Sequence, residues 1–383
     1  MAASYPPLAD VRQSLRVQWY RCPIERERLL ALSQRSDLAG FLQAGGHLAL
    51  FLASAGLTIH FWVVELWWAF GLSLWLHGTI SGFFSGVAPH ELGHGTVFRT
   101  KWLNRFFLYL FSLISWWDPF DYAASHTYHH RYTQYPDADR ENVLPLTPSL
   151  APVLLLQLFT LNLFTQPGRN FGKGGLLSTV NLTVRGAMGK EGTPQVPSQE
   201  WLKSLHRDQP AQHRRSIVWS RILLGVHGTV LVISLWSGFW VLPLVFSFAA
   251  FFGNWARYFT GLPQHCGLRD DVADFRKNSR SLIVHPLVEF LYWHMNWHTE
   301  HHMYAGVPCY NLPKLAREIA DDMPEPRTLT GAWREMRETW RRQQSDPGYQ
   351  FDTPVPSPAD PARANGAGAL ESSIGELAPR ELD

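Results

Sequence analysis

The stretch Trp297-His298-Thr299-Glu300-His301-His302 decides how the rest of the chain is interpreted. Its three histidines stand at positions i, i+3 and i+4, which share one face of a helix, one turn apart. Neutral imidazole is the commonest nitrogen ligand for a transition metal. The spacing therefore predicts a metal-binding helix, although a chance cluster in a polar loop would explain this stretch equally well on its own.

The same spacing recurs in the chain. His126-Thr127-Tyr128-His129-His130 repeats it, and His90-Glu91-Leu92-Gly93-His94 places two imidazoles at i and i+4, so these three boxes hold eight of the 17 histidines. A structural zinc takes four ligands and a catalytic zinc three, so one ion does not account for eight imidazoles. They suit two ions of a metal that accepts nitrogen ligands and reacts with oxygen, which indicates iron.

The residue composition argues against several classes of protein. A net charge of +2 gives no indication of nucleic-acid binding. The three cysteines are isolated and have no CxxC spacing, which predicts neither a disulfide framework nor a zinc ribbon. The 17 tryptophans fit side chains at a membrane interface.

Four mostly apolar runs, residues 41–63, 67–88, 216–236 and 238–258, are long enough to cross a bilayer core of ~30 Å. Both connections within the pairs, 59–66 and 234–240, lack Lys and Arg, and the positive-inside rule places the basic ends in the cytoplasm. We expect an all-α, multi-pass membrane protein with four transmembrane helices in two hairpins and a cytosolic helical cap that carries all three boxes. The alternative is that the runs are buried core helices.

The remaining segments are polar. Residues 1–40 lack the pattern of a signal peptide and predict a cytosolic N-terminal segment before a membrane domain over 41–320. Residues 321–343 are charged and predict C-terminal amphipathic helices. Residues 344–383 are rich in Pro, Ala, Gly and Ser and predict a disordered tail.

The first box also fits a different class of enzyme, a zinc protease. His90-Glu91-Leu92-Gly93-His94 matches HExxH, in which two histidines bind zinc and the glutamate activates water for proteolysis. A zinc protease leaves the other two boxes without a role. A non-catalytic membrane metal-binding protein is a further alternative from another class.

The boxes and their surroundings resemble the membrane fatty acid desaturase and hydroxylase superfamily, over about residues 40–320. The segment Pro136-Asp137-Ala138-Asp139 after the second box carries this resemblance, as do Pro308 and Asn311-Leu312-Pro313 after the third. The resemblance is nearest to bacterial-type desaturases, some of which act on small amino-acid-derived molecules.

The resemblance implies a diiron centre, with O2 as cosubstrate, that introduces a double bond into a fatty acyl chain. Hydroxylation or ketolation of a lipid, a carotenoid or a small amino-acid-derived molecule is the alternative.

The resemblance also implies a lipid bilayer around the enzyme, an acyl-lipid or other long-chain substrate, and a separate electron donor such as a ferredoxin or cytochrome b5. The substrate-binding residues are not predicted. A ninth ligand is implied in the loop after the fourth run, and His265 is assigned to it. The implied metal ligands are His90, His94, His126, His129, His130, His265, His298, His301 and His302.

Carboxylates beside such ligands orient the imidazoles through the other ring nitrogen. The candidates for this role are Asp118, Asp121, Asp139, Glu91 and Glu300. Asp118 and Asp121 are equally suited to cap a helix. An ordinary loop position bonded to Asp270 or Asp271 is the alternative for His265. Histidines outside the boxes are interpreted as packing residues within the apolar runs (His47, His77, His227) and as solvated residues in the central loop (His206, His213).

Overall fold

The computed structural model describes residues 5–141, 148–166, 174–193, 195–196 and 198–356, and these are mainly helical. The two short strands, β1 Leu282–Ile283 and β2 Arg327–Thr328, form one parallel pair. The helices are α1 Leu8–Ser14, α2 Arg26–Leu32, α3 Asp37–Gly40, α4 Gly46–Val63, α5 Trp67–Gly82, α6 Ala88–Gly93, α7 Lys101–Ile114, α8 Pro119–Tyr132, α9 Pro152–Phe159, α10 Leu176–Ala187, α11 Gln199–Asp208, α12 Pro210–Ser237, α13 Val241–Val245, α14 Trp255–Gly261, α15 Phe275–Asn278, α16 Pro286–Leu291, α17 His298–Met303, α18 Leu312–Glu318 and α19 Leu329–Gln343.

Two helical segments are long and apolar enough to cross a membrane. One spans Asp37–Val63, in which a π-helical turn joins α3 to α4, and the other is α12. Only 22% and 28% of their most apolar stretches are buried inside the protein. A core helix of a soluble protein is mostly buried, so these two segments have the exposed apolar surface of membrane helices.

The hairpin of α4 and α5 is present, but its second helix is shorter than the predicted run. α5 has 16 residues and ends at Gly82, whereas the apolar run extends to residue 88. Gly86 has a φ of +82°, and a Cβ on it would lie 2.6 Å from the Trp117 ring. The left-handed turn needs glycine, and it redirects the chain from α5 into α6, which carries the first box.

The fourth predicted run, 238–258, is not one helix. It divides into α13, a 3-10 turn at Ala249–Phe251 and the start of α14. Gly253 has a φ of +58°, and a Cβ on Gly78 of α5 would lie 2.4 Å from the Cβ of Phe252. Close backbone packing against α5 therefore breaks this run. Within the described residues, two helical segments meet the length and hydropathy expected of a membrane span, and four spanning helices are not confirmed.

Histidines within the apolar segments pack by hydrogen bonding, as predicted. His47 accepts a hydrogen bond from the Trp293 indole at 2.9 Å, and His77 bonds the carbonyl of Val245 at 2.8 Å. His227 bonds the Ser247 hydroxyl at 2.9 Å. These bonds satisfy buried polar groups and join distant parts of the chain.

The C-terminal region covers the side of the molecule next to α14. Trp333 of α19 donates its indole N–H to the carbonyl of Phe259 at 2.9 Å. The first part of the predicted disordered tail is ordered, because Phe351 donates its N–H to the carbonyl of Gly267 at 2.8 Å and Thr353 is only 1% exposed. Residues 344–356 thus pack on the protein, and the rest of the predicted tail, 357–383, lies outside the described residues.

Candidate metal centre

Each of the three boxes lies on its own helix: α6, α8 and α17. α8 has the clearest start signal, since Pro119 occupies its first turn and the Asp118 carboxylate accepts hydrogen bonds from the N–H groups of Phe120 and Asp121, at 2.9 and 3.1 Å. An aspartate cap followed by proline is a favoured helix start. It fixes the helix on which His126, His129 and His130 share one side.

The nine predicted ligands form two clusters, in each of which one ligand atom from every histidine lies within 4.8 Å of all the others. The second and third boxes contribute to both clusters. The five-histidine cluster consists of His90, His94, His126, His130 and His301. The four-histidine cluster consists of His129, His265, His298 and His302.

The ring nitrogens are spaced as ligands of one ion would be. The Nε2 atom of His298 lies 2.8 Å from that of His265 and 3.1 Å from that of His302. In the other cluster, the Nε2 atoms of His130 and His301 are 3.3 Å apart. Metal–nitrogen bonds of about 2.0–2.1 Å separate neighbouring ligand atoms by roughly 2.9 Å in an octahedron and 3.4 Å in a tetrahedron. The observed distances fall in or close to this interval.

Buried nitrogen atoms without partners provide a second test of the fit. The Nε2 atoms of His90, His94 and His126 are buried and make no hydrogen bond. A buried polar atom left unsatisfied costs about 1–3 kcal/mol. A metal ion among these lone pairs would satisfy all of them, so the donor set fits an ion bound by imidazole. Soluble diiron bundles differ, because they use glutamates and a Glu-x-x-His motif.

Burial keeps these imidazoles neutral, which is the form that binds a metal. Burial, reinforced by neighbouring imidazoles, lowers the pKa of His90, His94 and His265 to about 3. The same causes hold the pKa values of His126, His130, His298, His301 and His302 well below the usual range. His129 differs: burial lowers its pKa, but the Asp139 carboxylate outweighs burial and raises it.

A comparison with known proteins assigns the chain to a family. The model of the fatty acid desaturase family matches residues 65–332, which is well over half of the chain and contains all nine histidines. The chain belongs to the fatty acid desaturase family. No curated protein sequence matches it. Membership implies an oxidoreductase of the desaturase and hydroxylase type with a metal-dependent reaction, in agreement with the resemblance carried by the boxes.

Two of the predicted carboxylates contact histidines of the two clusters in this desaturase-family chain. Glu91 Oε1 lies 2.8 Å from Nδ1 of His90 and 3.6 Å from Nδ1 of His301. Asp139 Oδ2 lies 2.9 Å from Nδ1 of His129. The two hydrogen bonds use Nδ1 of His90 and His129, which fixes the tautomer of these rings and leaves Nε2 for the clusters.

The other three predicted carboxylates bond elsewhere. Asp118 caps α8, and Asp121 lies 3.1 Å from Nε2 of His206. Glu300 accepts a hydrogen bond from Ser281. His206 also stacks on His213 with ring centroids 3.6 Å apart, so the prediction that these two histidines are solvated is wrong.

His265 bonds neither of the aspartates considered in its alternative interpretation. Its Nδ1 lies 2.8 Å from the carbonyl oxygen of Asn278, and its Nε2 faces His298. Gly267, with a φ of +73°, provides the tight turn of this loop. A carbonyl acceptor requires Nδ1–H, so the lone pair of His265 is on Nε2 and directed into the four-histidine cluster.

Sequence reasoning missed Glu141. Its Oε1 atom lies 3.0 Å from Nδ1 of His126. The sequence signal that could have indicated it is a second acidic residue close after the second box, in Asp139-Arg140-Glu141.

Proposed function

We propose that this chain is an oxygen-dependent membrane desaturase that introduces a double bond into a fatty acyl chain. It would use a pair of iron ions held by the nine histidines and electrons from a separate donor such as a ferredoxin or cytochrome b5. The observation that carries the proposal is the division of nine imidazoles, seven of them buried and two half-buried, into neighbouring sets of five and four within a desaturase-family chain. Each set has enough nitrogen donors for one ion.

The residues of the chain have defined tasks in this reaction. A bound iron pair supplies the activation of oxygen that removal of hydrogen from an unactivated C–H bond requires. The imidazoles hold the metal without a protein carboxylate in the two clusters, and Glu91 and Asp139 set ring orientation through Nδ1. The clusters are buried, which excludes bulk water from the reacting carbon atoms.

The membrane arrangement is also part of the proposal. Both pairs of apolar segments would cross the membrane from the side of the metal centre and return to it, and the broken segment that begins with α13 would be the last crossing. The connections 59–66 and 234–240 contain no Lys or Arg, and Trp236 at the second is 88% exposed. Aromatic tips without basic residues fit translocation across the membrane, and basic residues retain the metal side in the cytoplasm.

The proposal is tested by mass spectrometry of lipids and metabolites from a host that expresses the chain with an electron donor. A desaturase gives a product that has lost a pair of hydrogen atoms, formed only with oxygen and accompanied by oxygen uptake. A product that has gained an oxygen atom instead would contradict desaturation and identify a hydroxylase.

A matched inactive protein excludes host enzymes as the source of the product. His301→Ala removes one member of the five-histidine cluster, whereas His285→Ala changes a histidine that lies outside both clusters and accepts a hydrogen bond from the N–H of Leu287. We expect product from His285→Ala and none from His301→Ala. Purified protein that contains one zinc ion and no iron would refute the proposed function.

A further inference from the structure

The segment Asp139-Arg140-Glu141, here called the carboxylate segment, contacts one ligand from each histidine cluster. Asp139 reaches Nδ1 of His129 at 2.9 Å, and Glu141 reaches Nδ1 of His126 at 3.0 Å. His126 belongs to the five-histidine cluster and His129 to the four-histidine cluster. The two acidic residues of this three-residue segment therefore touch both halves of the centre.

The carboxylate segment is itself held rigidly. Asp139 accepts hydrogen bonds from the N–H of Gln134 at 2.9 Å and from the N–H of Glu141 at 3.1 Å. The side chain of Arg140 is 2% exposed and points the other way, toward α11, where it donates to both carboxylate oxygens of Glu200 at 2.7 and 2.8 Å. Its guanidinium also lies over the Trp201 ring, 4.4 Å from the centroid.

We infer that Glu141 is a positioning residue of the metal centre, and that the carboxylate segment fixes the ring orientation of one ligand in each cluster together. The inference rests on the proposed function, because it requires metal in both clusters. A carboxylate that accepts the Nδ1–H of a ligand histidine holds its tautomer and makes Nε2 a better donor. Because Arg140 lies between the two acidic residues in the chain and binds α11, the position of α11 affects both carboxylates.

Direct binding of a metal by Glu141 is the competing role, because Glu141, His126 and His129 form a third group of close ligand atoms. The geometry favours positioning. Glu141 Oε1 lies against Nδ1 of His126, on the side of the ring opposite the buried, unpaired Nε2. One imidazole thus separates the carboxylate from the five-histidine cluster.

The test compares the iron affinity and the Mössbauer spectrum of the full-length protein loaded with 57Fe, for the wild type, Glu141→Ala and Glu141→Gln. Loss of such a carboxylate typically weakens metal affinity roughly 10–100-fold. We expect this loss in Glu141→Ala, confined to one of the two iron signals, because His126 serves only one cluster. Glu141→Gln keeps an acceptor oxygen, so we expect it to retain both irons while the splitting of one signal changes.

Glu289→Ala is the matched control. Glu289 makes the same kind of contact, at 3.0 Å, with His294, which lies outside both clusters. We expect wild-type iron affinity and both iron signals from this variant. If the loss of any carboxylate–histidine pair disturbs the structure enough to weaken iron binding, the control will also bind iron more weakly. That result would overturn the inference.

The remaining outcomes distinguish failure of the inference from failure of the proposed function. Wild-type iron affinity and an unchanged spectrum in folded Glu141→Ala would overturn the inference, as would equal loss of both signals. If Glu141→Ala does not fold, the test rests on Glu141→Gln. A Glu141→Gln spectrum identical to that of the wild type would overturn the inference. A wild-type protein that binds no iron pair would instead refute the proposed function.

Discussion

His265 and His298 are separated by 33 positions in the chain and place their Nε2 atoms 2.8 Å apart. The first follows α14 and the second begins α17, so this contact joins the loop after the last apolar segment to the third box. Because Nδ1 of His265 donates to the carbonyl of Asn278, its remaining nitrogen is a lone-pair donor. The loop thereby completes a cluster that the boxes alone would leave with three members.

His265→Ala should remove iron from the four-histidine cluster. Three nitrogen donors remain there, so we expect the iron content to fall by about half and activity to be lost. Removal of a direct ligand weakens metal binding by more than the roughly 10–100-fold that loss of a ligand's hydrogen-bonding partner causes. Iron per polypeptide, measured by elemental analysis, checks this, with His285→Ala as the control. Equal and full iron in both variants would remove His265 from the site.

Glu91→Gln separates a diiron oxidoreductase from a zinc protease. Glutamine keeps an acceptor oxygen near Nδ1 of His90, which the carboxylate contacts at 2.8 Å. We expect iron to remain bound at saturating iron, with turnover reduced by no more than roughly 100-fold. A protease of the HExxH type loses its general base in this variant. Complete loss of turnover with zinc retained would contradict the desaturase assignment.

Helical periodicity explains why the box helices could be predicted. The i, i+3, i+4 spacing is local, and a helix necessarily brings such histidines to one side. The division into five and four was not predictable, because His126 and His129 are one turn apart on α8 yet serve different clusters. Which cluster each joins depends on how α8 faces α6 and α17, and no local pattern encodes that.

Long-range contacts also explain what the sequence missed. Glu141 meets His126 from 15 positions away, across a turn that no periodicity describes. The break in the fourth apolar run depends on close contact of Phe252 and Gly253 with α5, whereas hydropathy averages over such glycines. The packing of Phe351 against Gly267 likewise contradicts the composition of its own segment.

The pair Asp118 and Asp121 should make stability depend on pH. Ser216 Oγ lies 2.6 Å from one carboxylate and 2.9 Å from the other, and its one proton serves one acceptor. Burial, together with Asp121, raises the pKa of Asp118 to about 7. The folded protein therefore holds a proton on this pair that the unfolded chain has released, and the pair contributes stability that is present at acidic pH and is lost as pH rises through about 7.

Asp118→Asn tests this dependence, since asparagine also caps a helix but does not titrate. His206, bonded to Asp121, is the other titratable side chain at the pair and is present in both proteins. We expect the melting temperature of the wild type, measured relative to that of Asp118→Asn, to fall as pH rises from about 5 to 8. Asp346→Asn, an exposed site, is the control. Identical slopes in wild type and Asp118→Asn would refute the prediction.

Gly253→Ala should destabilise the contact between α5 and the broken fourth segment. A Cβ there would lie 2.7 Å from Thr79 Oγ1 and 2.9 Å from the carbonyl oxygen of Trp75, at a φ of +58°. Left-handed backbone costs about 1–2 kcal/mol for other residues, and overpacking about 1–3 kcal/mol more. Thermal unfolding in detergent measures the effect. Gly225→Ala in α12, where a Cβ meets no atom within 4 Å, should show no destabilisation.

The last prediction concerns which side of the membrane each part of the chain occupies. The three native cysteines are buried, so single introduced cysteines report on their own positions. Trp236, Trp102 and Phe164 are exposed, the first at a tip without basic residues and the other two on the side assigned to the metal centre. A membrane-impermeant maleimide added to intact cells should label Trp236→Cys, and should label Trp102→Cys and Phe164→Cys only after lysis. Labelling of Trp102→Cys and Phe164→Cys on opposite sides would mean that the chain crosses the membrane between them, and would contradict the proposed arrangement in which the two pairs of apolar segments are the crossings.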